Sequence, residues 1–66
     1  MTEVETLKAE IKKLSAKAIQ AKMDLHDLSE ELPVNWRNIL EVAQRAHDAF
    51  EILEKRRADF KQLETA

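Results

Sequence analysis

Two histidines, each with acidic residues close by in the sequence, are the side chains whose types and spacing could support metal chemistry. His26 is followed by Asp27 and, four residues later, by Glu30; His47 has Glu51 at the same distance. A histidine and a carboxylate four residues apart share one face of a helix, where both can bind a divalent ion such as nickel, zinc or iron. The predicted metal site is His26, Glu30 and Asp27, and the alternative for either histidine is an ordinary surface or interface role.

No enzyme motif accompanies these residues. The chain has no glycine for a phosphate-binding loop and no cysteine for a thiolate nucleophile or a disulfide framework. Helical bundles that bind two iron ions use Glu-x-x-His, and here Met23 and Gln44 stand three residues before the histidines. The apolar runs are too short to span a bilayer. We therefore expect a non-enzymatic cytoplasmic protein without a membrane segment.

The elements that must position these side chains are two long amphipathic segments separated by Leu32-Pro33-Val34-Asn35-Trp36. Proline cannot continue a helix, and it restricts the residue before it to extended conformations. We predict one domain over 1–66, with helices at 3–32 and 36–64 and a turn at 33–35. Thr2, with Glu5 three residues later, is the expected cap of the first helix, and the Asn35 side chain is the expected cap of the second.

Apolar residues recur in a seven-residue pattern along both segments, as in the seam of a coiled coil. Only Arg56 interrupts the pattern, and folding the chain back at the proline pairs small with small and large with large residues. This predicts an all-α antiparallel hairpin that dimerises into a four-helix bundle. The predicted core residues are Leu7, Ile11, Leu14, Leu25, Leu28, Ile39, Val42, Leu53 and Phe60.

A second, shorter apolar stripe lies beside the first on each helix. In the first helix it comprises Ala16, Ile19, Met23 and His26, and in the second it comprises Trp36, Leu40, Ala43, His47 and Phe50. A two-helix hairpin cannot bury both stripes against itself. The stripe is either the homodimer interface or, at Trp36, Leu40, Met23 and Phe50, a docking surface for another protein.

Charge is distributed along the length of the predicted hairpin. Acidic residues such as Asp24 and Glu31 lie near the turn, whereas basic residues such as Lys12 and Arg57 lie near the open end. An antiparallel dimer would bring the acidic turn of one hairpin close to the basic end of the other. The net charge of -2 gives no general attraction to nucleic acid, so an RNA-binding bundle is an alternative that the composition does not favour.

One run of residues carries a family likeness. The run from Lys22 to Pro33, with Asp-Leu-His-Asp-Leu before Leu-Pro, and then Trp36 and the sequence Glu-Val-Ala at 41–43, resembles the signature of short Rop-like proteins encoded in bacterial nitrogen-fixation operons. The likeness covers nearly the whole chain.

The resemblance implies a helical hairpin that forms a dimeric four-helix bundle, an accessory role in nitrogen fixation with a nitrogenase-related partner, and a metal-binding character. His26 matches the histidine of the family, with Asp24, Asp27 and Glu30 around it. His47 is not carried over, because tyrosine also fits that position in the family.

Overall fold

A computed structural model describes the backbone of residues 2–65 and the side chains of residues 2–64. The first helix, α1, spans Glu3–Glu31; the second, α2, spans Ile39–Thr65, and a short 3-10 helix, Trp36–Asn38, precedes it. The described residues contain no β-strand. The predicted all-α hairpin is therefore confirmed. The predicted domain over 1–66 also includes Met1 and Ala66, which lie outside the described residues.

The cap predicted for α1 is confirmed. The backbone N–H of Glu5 donates to Thr2 Oγ1 at 3.2 Å, which satisfies one of the free donors of the first turn. The helix ends at Glu31, one residue before the predicted end, because Leu32 is extended with φ −54° and ψ 142°. This is the conformation that a following proline requires.

The cap predicted for the second helix is wrong in its mechanism. Asn35 does precede the 3-10 helix, but its side chain forms no capping hydrogen bond there. Its backbone is left-handed, with φ 61°, and its Nδ2 donates instead to Glu31 Oε2 at 3.3 Å. Asparagine tolerates this conformation better than most residues do. The turn residue thus ties the connection back to the end of α1.

The start of the second α-helix also differs from the prediction, by three residues. The Trp36 N–H bonds the Pro33 carbonyl at 3.3 Å, and the Asn38 N–H bonds the Asn35 carbonyl at 2.9 Å. These three-residue spacings belong to turns and 3-10 helix rather than to α-helix. Regular α-helix therefore begins at Ile39 and not at Trp36.

The heptad seam forms the contact between the two helices. All five residues that are buried among positions 2–64 belong to it, namely Leu7, Ala18, Leu28, Ala46 and Leu53. Across the hairpin Arg56 Nε lies 3.2 Å from Glu10 Oε1, and the Lys8 ammonium lies 5.8 Å from the Phe60 ring centroid. These contacts place residues 8 and 10 of α1 beside residues 60 and 56 of α2, which is the antiparallel alignment that folding the chain back at the proline predicts.

The core of a single hairpin remains partly open. No large side chain among the described residues is completely buried, and Ile11, Leu14, Leu25, Ile39 and Val42 are each only half-buried along the seam. The molecule measures 49 × 16 × 13 Å, and its two short dimensions are those of one helix packed on another. Two helices alone therefore leave much of their apolar surface in contact with water.

Candidate functional site

His26 and Glu30 form the contact that their spacing predicts. One helical turn separates them on α1, and His26 Nε2 lies 2.9 Å from Glu30 Oε1. Both side chains are exposed, at 59% and 67%. The Ser29 hydroxyl donates to the His26 carbonyl at 2.6 Å. The pair is open to solvent on one face of the helix, so an ion could reach both donor atoms.

Asp27 does not join this pair. It directly follows His26, and consecutive residues point about 100° apart around a helix. Residues 2–65 contain no group of three or more histidine and carboxylate side chains arranged to hold a metal ion. Zinc in structural sites takes four protein ligands, so one hairpin supplies at most half of such a set. The metal site remains a prediction.

His47 contacts a different residue from the one its helical spacing suggests. Its Nδ1 lies 3.2 Å from Asp48 Oδ1, and the Gln44 amide donates to the same oxygen at 2.8 Å. These hydrogen bonds, the one with His47 first, hold the pKa of the Asp48 carboxyl below its usual value. Glu51 is 3.7 Å from the Lys55 ammonium. The expected pairing of His47 with Glu51 is not formed.

The most exposed apolar side chains lie at the turn end of the hairpin. Leu40 is 83% exposed, Val34 62% and Trp36 59%. We call these three residues the tip patch. The Arg37 guanidinium lies 5.6 Å from the Trp36 ring centroid, within range of a cation–π contact. Trp36 and Leu40 were predicted from the second stripe, whereas Val34 was not, because a turn residue belongs to no helical period.

The body of the hairpin carries the rest of the predicted docking residues. Met23 and Phe50 are exposed, as is their neighbour in the stripe, Ile19. Ile52 is also exposed, and the stripe did not include it. It lines a shallow groove on α2 beside Arg56, and its spacing of four residues before Arg56 is the signal that could have located it.

The exception in the heptad pattern, Arg56, has a structural role at the open end. Its guanidinium contacts Glu10 on α1 and, at 3.3 Å, Asp59 on its own helix. All three side chains line an open groove of about 690 Å³ together with Leu7 and Leu63. An ion pair so exposed contributes about 0 to 1 kcal/mol, so it indicates how the two helices are aligned and adds little to their stability.

The described helices include none that is long and apolar enough to cross a membrane. The fold and the exposed residues place the protein in the class of two-helix hairpins with a heptad seam, an open core and exposed apolar side chains. The chain belongs to the Rop-like family, whose model matches residues 2–65. The family that its residues resemble is thereby confirmed.

Two related proteins and one solved structure are similar to this chain. A UPF0437 protein of Azorhizobium caulinodans is 62% identical over 64 residues, which cover 97% of this chain and 93% of that protein. A second relative, from Frankia alni, is named a UPF0437 protein in the nifX-nifW intergenic region; it is 50% identical over 40 residues, 61% of this chain and 49% of that protein. An NMR structure from the Northeast Structural Genomics Consortium has a TM-score of 0.87 at 47% identity, covering 98% of this chain and 93% of that one.

Proposed function

We propose that this chain is a non-enzymatic accessory protein of nitrogen fixation that acts as a homodimer. The genomic part of the proposal is supported by the Frankia alni relative, which is named for its position between nifX and nifW. The structural part is supported by one observation above all: the hairpin leaves its seam half-open and exposes a second apolar stripe beside it. A second copy on the part of that stripe in the body of the hairpin, at Ile19, Met23 and Phe50, completes a four-helix bundle.

A dimer interface of ordinary size would take a small share of the hairpin's surface. Stable interfaces bury about 800 Å² on each partner. One hairpin exposes 5418 Å² in total, so a dimer of this kind would cover roughly one seventh of it. Ile19 and Phe50, which are 56% and 39% exposed, lie on the stripe and are the residues we expect to lose most of their contact with water.

The charge pattern favours the antiparallel arrangement of the two copies. Toward the turn α1 has Asp24 and Asp27, whereas the open end has Lys8, Lys12 and Arg57. With the hairpins head to tail, each acidic end lies beside a basic end. With the hairpins in parallel, like charges lie together, which disfavours that alternative.

The dimer is tested by measuring molar mass with light scattering. We expect twice the 7.7 kDa of the chain for the wild type and one chain for Ile19→Glu, because that change places a charge in the interface. Ile52→Glu is the matched control: Ile52 has comparable exposure, and it lies two residues from Phe50, nearly opposite on α2. A monomeric wild type, or dissociation by Ile52→Glu alone, would overturn this choice of interface.

The role in nitrogen fixation is tested by deleting the gene. The mutant strain should grow normally on ammonium and slowly on dinitrogen, and the wild-type gene should restore growth where the Ile19→Glu gene does not. Equal growth of the deleted and parent strains on dinitrogen, with equal acetylene reduction, would contradict the role.

Divalent metal binding is a second candidate function, supported by the His26 to Glu30 distance of 2.9 Å. Since His26 lies toward the turn end, the two copies of an antiparallel dimer would hold their His26 side chains far apart. Any ion would then be bound by one copy of the pair plus other donors. Calorimetric titration of nickel, zinc and ferrous iron should give micromolar binding that His26→Ala abolishes and His47→Ala does not. The absence of heat for all three ions would end the metal hypothesis.

A further inference from the structure

The tip patch cannot be explained by the helix seam. Val34, Trp36 and Leu40 are each more than half exposed, whereas the seam residues of α2 that follow, Ile39 and Val42, are partly covered by α1. A group of large apolar side chains exposed to water is typical of an interaction site. Tryptophan is also the residue most often found to dominate binding energy in interfaces.

The turn holds this patch in a fixed arrangement. Four backbone hydrogen bonds or side-chain contacts tie residues 31–38 together: Val34 N–H to the Glu31 carbonyl at 3.0 Å, the Asn35 side chain to Glu31, and the two three-residue turns that end at Trp36 and Asn38. A surface that is ordered before binding loses less conformational entropy when a partner arrives. The turn is therefore ordered before a partner binds, which suits the patch to recognition.

The surroundings of the patch are acidic. Between Asp24 and Arg45 the sequence has five carboxylates and two arginines. Both arginines have internal contacts, Arg45 with Glu41 at 3.1 Å and Arg37 with the Trp36 ring. Within residues 2–65 Glu30 pairs with His26, and Glu31 accepts from Asn35, so no lysine or arginine neutralises either carboxylate. The negative end of the α1 dipole adds to the negative potential at this end.

A second copy placed alongside the hairpin does not account for the patch. The helices are 29 and 27 residues long, so antiparallel copies of equal length end at the same height. The partner then covers the body of the second stripe, around Ile19 and Phe50. Val34 and Trp36 in the turn, and Leu40 in the first turn of α2, stay at the end of the bundle. Apolar surface there, within an acidic rim, calls for a different occupant.

We propose that the tip patch binds a basic amphipathic helix of another protein, with Trp36 and Leu40 contacting its apolar face and Glu30 and Glu31 contacting its lysines or arginines. This deepens the proposed accessory function, because it gives the chemistry of that protein's partner. The interaction buries apolar area in the centre and leaves the charge pairs at the rim, where they select the partner and speed association.

Trp36 makes the test direct, since it is the single tryptophan of the chain. Its fluorescence is followed while a synthetic amphipathic leucine–lysine peptide is titrated into the full chain, with a leucine–glutamate peptide of the same length as the control probe. We expect a blue shift and saturable binding with the lysine peptide and no change with the glutamate peptide.

Variants locate the binding. Leu40→Ser and the double change Glu30→Gln with Glu31→Gln should each weaken lysine-peptide binding at least about tenfold, or 1.4 kcal/mol. Ile52→Ser, an equally conservative change on the body of the hairpin, should leave the affinity unchanged. Circular dichroism on each variant shows that the helices persist.

Three results would overturn the proposal. The first is equal binding of both peptides, and the second is binding that the tip variants leave unaltered. The third is a blue shift of Trp36 on concentrating the protein alone, because this would assign the tip patch to a second copy of the chain. Molar mass measured in parallel separates this proposal from the dimer, since Leu40→Ser should leave the mass at its wild-type value.

Discussion

The middle of the hairpin and its tip contain the same kinds of apolar residue and use them in opposite ways. Leu53, in the middle of α2, packs against α1 and is 3% exposed. Leu40, in the first turn of the same helix, is 83% exposed. Leu53 occupies a heptad position and Leu40 does not. The difference teaches that the period, and not hydrophobicity itself, decides which leucine holds the helices together and which remains available to a partner.

The pair Leu53→Ala and Leu40→Ala tests this comparison with the largest expected effect. Truncating a buried leucine usually costs about 2 to 5 kcal/mol, because contacts are lost and a cavity remains. A surface change away from special features stays within about 0.5 kcal/mol. Urea denaturation of both variants at one protein concentration should therefore give a large loss for Leu53→Ala and almost none for Leu40→Ala. Equal losses would remove the distinction between the two regions.

The small-residue layer sharpens the same comparison by adding volume. Ala18 is completely buried where the helices approach each other, whereas Ala58 is exposed on α2 outside both apolar stripes. Ala18→Leu should destabilise the hairpin by about 1 to 3 kcal/mol through overpacking. Ala58→Leu should be nearly neutral in the same thermal unfolding experiment. A tolerant Ala18 position would mean that the helices are free to separate there.

The turn that supports the tip gives a smaller effect, through backbone conformation. Asn35 has φ 61°, a region that β-branched residues avoid. Asn35→Val should cost about 1 to 2 kcal/mol, and Asn35→Gly should be tolerated because glycine has no Cβ. Thermal melts that rank valine and glycine equally would show that the left-handed turn is not maintained in solution.

The smallest expected effect concerns Asp48 and acid. Its pKa in the folded chain is lowered, chiefly by the hydrogen bond with His47 and then by that with Gln44. A lowered carboxyl pKa stabilises the fold above the unfolded value of about 3.9 and stops doing so as the pH falls through the lower folded value. Asp48→Asn should thus be slightly less stable than wild type at neutral pH, with the difference disappearing in acid. A difference that persists unchanged in acid would exclude the carboxylate as its source.

Much of the fold could be predicted from the sequence because the heptads and Pro33 are strong signals. The seam, the hairpin and the Thr2 cap follow from spacing and side-chain chemistry that act locally. The role of Asn35 could not be predicted in the same way. A side chain that can cap a helix can equally stabilise a left-handed residue, and the choice depends on the geometry of the whole turn.

The candidate site was only partly predictable for a related reason. The His26 to Glu30 contact is local to one helical turn, and its spacing was sufficient to predict it. Whether further ligands approach depends on a second copy or a partner, which one chain does not specify. The exposure of Val34 depends on how the turn leaves the helices, so no period in the sequence could reveal it.

The length of the hairpin has a consequence for valency. In the proposed antiparallel dimer the two tips lie at opposite ends of a stiff bundle whose long axis is that of the hairpin, 49 Å. Two tips at a fixed span act as a bivalent ligand only when the partner presents two binding segments at a matching separation. The rigid bundle would then bind an assembly whose two sites match its length more tightly than a partner with a single site, because only the former can engage both tips at once.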